Sequence, residues 1–118
     1  MARIKPILPS LREKKRYLVF EIISGNKKED FKAVSRAIWA CSLQFLGEYG
    51  VANAGIWLLP DKYNDDNKMG IIKVGHKYVN HLKSALTMVD KIDNHEVIVK
   101  SVGVSGILKK AENKYIAG

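Results

Sequence analysis

Residues 16–23 read RYLVFEII, apolar at nearly every position and rich in aromatic and β-branched side chains. That pattern predicts a central strand and not an edge strand. Ser24-Gly25 ends the run, and Asn26-Lys27-Lys28-Glu29 has the spacing of a capping box, which predicts a helix capped at Asn26. Phe31, Val34, Ile38, Cys41 and Phe45 recur at three- and four-residue intervals and define its buried face, and Gly47 marks its end. Trp39, Leu43 and Leu46 form a second apolar track beside the first. It is either the margin of a broad core face or a surface covered by a protein partner.

A second strand is predicted over 52–59, with Gly55 allowing a bend. A polar loop over 60–67 and a third strand over 70–74 complete a hairpin. Val79, Leu82, Leu86 and Val89 predict a second helix over 76–92, Asp93-Asn94 punctuates the chain, and 96–102 supplies the fourth strand. Residues 105–111 suit a short helix running into a solvated tail. The order β-α-β-β-α-β implies an α+β sandwich of the ferredoxin-like or RRM-like kind, with a four-stranded antiparallel sheet and two helices on one face. The expected organisation is a basic arm (1–15), one αβ domain (16–104) and a short basic carboxyl segment (105–118), within the size of a single domain.

Charge changes this picture by its placement. The net charge is +8. Residues 1–16 carry six basic side chains against Glu13, a net of +5, and residues 105–118 carry Lys109, Lys110 and Lys114 against Glu112, a net of +2. The long centre, with 11 basic and 10 acidic residues, is nearly neutral. Two basic ends on a neutral body suit phosphate contacts, although charged ends also serve solubility. No apolar run approaches the roughly 18 residues that cross a bilayer. The first nine residues carry charges and two prolines but no apolar stretch of a signal peptide, and the single cysteine, Cys41, suits a reducing, cytoplasmic setting.

Candidate chemistry adds little. His76 and His81 are five apart, a poor spacing for one helical face, and His95 lies beyond the second helix. Cys41 falls in the apolar periodicity and reads as a small buried residue. Asp61, Asp65 and Asp66 sit in a polar loop with Lys62 and Lys68, without the glycine and glutamate of a calcium-binding loop, and read as solvated. Gly103-Val104-Ser105-Gly106 lacks the Gly-Lys-Ser/Thr arrangement of a phosphate loop and reads as a turn aiming the basic tail. Base stacking on a central strand finds no aromatic over 70–75, and Tyr17 and Phe20 fall on opposite faces by alternation.

Three segments together resemble a known family: LREKKRYLVFEII at 11–23, WACSLQFLGEYGVANAGIWLL at 39–59 and VIVKSVGVSGILKKAE at 97–112. They are similar, in this order, to the archaeal ribonuclease P protein component 2, related to the eukaryotic Pop-family subunit. The resemblance implies an accessory, non-catalytic subunit of the ribonucleoprotein endonuclease that removes the 5′ leader from precursor tRNA. In that family the RNA carries the hydrolysis with Mg²⁺, and no cofactor is expected on this chain. It implies as partners the ribonuclease P RNA with precursor tRNA, and a TIM-barrel-like ribonuclease P protein component 3 in a heterotetramer with two copies of each. Arg12, Lys14 and Arg16 match the basic lead into the first strand, so these, with Lys15, are expected RNA contacts. Lys109 and Lys110 follow the matched GVSG and share that expectation. Trp39, Leu43 and Leu46 are the expected protein interface. Two other readings stay open from the residues alone: a protein–protein adaptor whose basic arms meet an acidic partner, and a free-standing nuclease using the acidic loop.

Overall fold

The computed structural model describes residues 14–116; the amino-terminal arm expected over 1–15, with Arg12, lies outside them except for Lys14 and Lys15. The strands are β1 (Lys15–Ser24), β2 (Trp57–Leu58), β3 (Met69–Gly75), β4 (Lys91–Ile92) and β5 (His95–Ser105). The helices are α1 (Phe31–Ala54), α2 (Val79–Thr87) and α3 (Leu108–Ala111), the last continuing as a π-helical turn over Glu112–Ile116. The sheet runs β2-β3-β1-β5-β4, with every neighbouring pair antiparallel. That is a curved antiparallel sheet flanked by helices, in keeping with a ferredoxin-like sandwich, and β1 is its centre as its unbroken apolar run requires.

Alternation along β1 divides the molecule into two apolar clusters. Leu18, Phe20 and Ile22 face α1 and α2, packing with Val34, Ile38, Leu82, Leu86 and Val99 in the main core. Val19 faces the other way and packs with Ile71 and Ala111, joined by Tyr17, Leu108 and Tyr115. The expectation of two helices on one face is therefore incomplete. The short helix expected over 105–111 is present as α3 and closes part of the opposite face, and residues 112–116, expected as a solvated tail, continue that cover. The ring of Tyr115 lies against Gly103, where any Cβ would collide with it. Gly103 is thus a residue of β5 and not part of a turn; the strand continues to Ser105 through an irregularity opposite Val19/Phe20.

Other boundaries moved for identifiable reasons. Gly47, at φ 75° and ψ 168°, does break the first helix, but the helix resumes and runs to Ala54, so the second strand shrinks to two residues. The buried positions of α1 include Val34, Ile38 and Ser42, with Leu46 packed on the core, whereas Phe45 is exposed. A strict four-residue spacing advances about 40° around a helix at each step, so the buried stripe slides from the Cys41 side to the Ser42 side. The helix cap is Asp30, whose carboxylate accepts from the amides of Lys32 (3.2 Å) and Ala33 (3.4 Å). Asn26 does not cap it because Glu29 is buried and otherwise engaged. The second helix ends at Thr87, since Lys91–Ile92 form a hairpin with His95–Glu96 across Asp93 and Asn94. Both turn residues have positive φ (49° and 68°), the demand of a tight two-residue hairpin.

Candidate nucleic-acid interface

The start of β1 and the ends of β3 and β5 lie at one end of the sheet, because Lys15 pairs with Gly75 and Tyr17 with Ser105. The Lys14 carbonyl accepts from the His76 amide at 2.8 Å, which holds the lead into β1 against the corner before α2. The Lys14 and Lys15 side chains are exposed. Arg16 is half-buried; its Nη1 donates to the Lys15 carbonyl at 3.1 Å and lies beside Gly106. From Gly106 the chain turns into α3, which presents Lys109 and Lys110 to solvent. Strand pairing therefore brings together the two basic segments that stand at opposite ends of the sequence. Lys77, exposed at the same corner, joins them. It was hidden from sequence reasoning because it belongs to the near-neutral centre.

At the opposite end, where Lys27 and Lys32 are exposed and in no ion pair among the described residues, three other cations are engaged. Lys28 pairs with Asp66 at 3.2 Å, Arg36 with Asp93 at 3.5 Å, and the Lys68 ammonium donates to the carbonyls of Ser24 (3.3 Å) and Asn26 (2.7 Å). The hydrogen bond to Asp66, with its charge, raises the Lys28 pKa. Beneath them the buried Glu29 carboxylate accepts from the Ser24 hydroxyl (2.5 Å) and faces His95 Nε2 (2.8 Å). The Tyr63 hydroxyl donates to the Glu29 carbonyl at 2.6 Å. Burial, then the nearby charges of Glu29, Asp65 and Asp30, pushes that hydroxyl up to about 12. Asp66 is thus an ion-pair partner in a polar loop, and His95 ties a buried carboxylate instead of standing alone.

At the basic end, by contrast, no ion pair among the described residues involves Lys14, Lys15, Arg16, Lys77, Lys109 or Lys110. Exposed cations with no protein counter-ion keep their field for a polyanion. The described residues hold no group of three His, Cys, Asp or Glu placed for a metal ion. The Cys41 thiol is pushed up by burial, with a smaller contribution from Asp90, the opposite of an activated nucleophile. What this end offers is binding.

The expected protein interface lies elsewhere, on α1. Trp39 is 46% exposed, while Leu43 and Leu46 are half-buried and Leu46 packs on the core. Trp39 borders an apolar groove of about 240 Å³ with Phe31, Ile38, Ile56, Trp57 and Leu58. Trp57, 62% exposed on the edge strand, was not singled out by sequence, because it sits within an apolar run that reads as strand. Among the described residues no helix is long and apolar enough to cross a membrane.

A basic αβ sandwich with its sheet partly covered, and with basic side chains from distant segments gathered at one end, defines a binding module. Comparison with known proteins makes this specific: the Rpp14/Pop5 family model matches residues 16–116, and the chain belongs to that family. The ribonuclease P protein component 2 of Pyrococcus horikoshii is 38% identical over 118 residues, spanning 99% of this chain and 95% of that protein. The same component of Methanocaldococcus jannaschii is 29% identical, spanning 96% of this chain and 81% of that one. A chain in the cryo-electron-microscopy structure of yeast ribonuclease MRP superposes with a TM-score of 0.61 at 15% identity, covering 80% of this chain and 76% of that one. This last likeness concerns fold alone.

Proposed function

We propose that this chain is an accessory, non-catalytic protein subunit of ribonuclease P, supporting RNA-based removal of the 5′ leader from precursor tRNA. Family membership supports the assembly, and one observation supports the mode of action: the cations of β1, the α2 corner and α3 converge at one end of the sheet, in no ion pair among the described residues. In this reading Lys14, Lys15, Arg16, Lys109 and Lys110 contact RNA phosphates, Arg12 adds to them from the amino-terminal arm, and Lys77 extends the patch. Such contacts position an RNA without reading its sequence. Mg²⁺ belongs to the RNA catalyst, and the setting is cytoplasmic. The partner on the protein side is the TIM-barrel-like component 3, two copies of each chain forming a heterotetramer, with Trp39, Leu43 and Leu46 supplying its docking surface on α1.

Reconstitution tests the reading. Precursor-tRNA cleavage by the ribonuclease P RNA and its other protein components is measured with and without this chain, beside RNA alone. Faster 5′-leader removal with the chain is expected. Unchanged cleavage in the complete assembly, or cleavage by this chain without the RNA, contradicts the assignment.

A further inference from the structure

Among the described residues, a large aromatic side chain near the basic end is exposed and packs in no apolar cluster. The Trp57 indole is 62% exposed and belongs to neither apolar cluster. The strand registers place Trp57 opposite Lys73 and Lys73 opposite Tyr17, so the three form one row across β2, β3 and β1. Directly opposed residues share a face of the sheet, and Tyr17 packs in the outer cluster, so the row lies on the outer face. The carboxyl helix closes over Val19 and Ile71 but leaves the indole open.

Two cations belong to its surroundings. Lys73 is its cross-strand neighbour, and the Lys15 ammonium lies over Gly55, two residues before Trp57, where a Cβ would come within 2.9 Å of it. Among the described residues neither lysine forms an ion pair. An exposed π surface with one lysine directly across the strands and another lying over Gly55 has the parts of a nucleotide clamp, the indole for a base and the cations for neighbouring phosphates.

We propose that Trp57, Lys73 and Lys15 form a stacking site for an unpaired base of the RNA held at the basic end. The inference rests on the RNA-binding reading above and deepens it: part of the bound RNA is met as a single strand, on the edge strand instead of the central ones. Trp57 also borders the groove beside Trp39, so a protein is the competing occupant. Lys73 opposite the indole and Lys15 over Gly55, with no acidic residue in the row, favour the polyanion.

The test uses the full chain carrying Trp39→Phe, which leaves Trp57 as its one indole. It is titrated with a single-stranded oligoadenylate octamer, an RNA duplex of the same length, and ribonuclease P RNA. The octamer is expected to quench Trp57 emission saturably and the duplex to leave it unchanged. Trp57→Ala should weaken octamer binding about 5- to 150-fold with the salt dependence unaltered, and Trp57→Phe should retain most of the affinity. Lys15→Ala/Lys73→Ala should instead lower the salt slope by about 1 to 1.5 units. Octamer binding that leaves Trp57 emission unchanged, with Trp57→Ala at wild-type affinity, overturns the stacking site and points to a protein contact. So does failure of the octamer to bind while ribonuclease P RNA binds. If neither RNA binds the unsubstituted chain, the RNA-binding reading falls as well. The quenching arm decides even if Trp57→Ala does not fold.

Discussion

Lysines and arginines stand at both ends of this sheet, and they do different things. Where β1 finishes, Lys28, Arg36 and Lys68 are held by Asp66, Asp93 and two backbone carbonyls around a buried Glu29. Where β1 begins, Lys14, Lys15, Lys77, Lys109 and Lys110 are exposed, and no ion pair among the described residues involves them. The lesson is that net charge does not locate a polyanion site. Basic side chains gathered from distant segments do, and that gathering becomes visible only when the strand pairing is known. One end should therefore respond to mutation in stability, and the other in RNA affinity.

The largest expected effect is at the paired end. His95→Ala removes the partner of a carboxylate that is 2% exposed, and should cost about 3 kcal/mol in urea unfolding. RNA affinity at a temperature where the variant is folded should stay at wild type; a selective loss of binding would break the division of labour. Next comes Gly103→Ala, which pushes a methyl group into the Tyr115 ring and loosens the helix carrying Lys109 and Lys110. A cost of about 2 kcal/mol is expected, here accompanied by weaker RNA binding, because this cover belongs to the basic end. Stability unchanged by this substitution would mean the carboxyl helix is not seated as described. Lys62→Met should do least. Its 2.7 Å pair with Glu112 is about one-third exposed on both sides, so about 0.5 kcal/mol is expected from thermal unfolding. A loss as large as that of His95→Ala would move the anchor of the carboxyl helix from apolar packing to this ion pair.

Much of the sandwich was legible in the sequence because short-range patterns carry it. The run at 16–23 became β1, 70–74 became β3, and the β-α-β-β-α-β order survives with a small hairpin added. The misses share a physical cause, which is dependence on distant partners. Glu29 has the spacing of a capping residue, yet its carboxylate is engaged by His95, 66 positions away in the chain. The carboxyl cover is built on Ala111, Gly103 and the ring of Tyr115; alanine and glycine give almost no apolar signal of their own. Asp93 and Asn94 were visible as a break, but the β4 residues before them continue a helical periodicity until the hairpin claims them.

The candidate site was legible in part for the same reason. Lys14, Lys15, Arg16, Lys109 and Lys110 were readable as basic segments, whereas their convergence required the pairing of Tyr17 with Ser105. Lys77 and Trp57 carried no signal, being one charge in a neutral centre and one aromatic in an apolar run.

RNA affinity measured against salt concentration tests the central claim most directly, with ribonuclease P RNA and two multiple variants, one for each end. For Lys14→Ala/Lys15→Ala/Arg16→Ala the slope of log affinity against log salt should fall by about two to three units, while Lys28→Ala/Arg36→Ala should keep the wild-type slope. Equal slopes for wild type and both variants, or a larger fall for the second, would contradict the assignment of the RNA to the end where β1 begins.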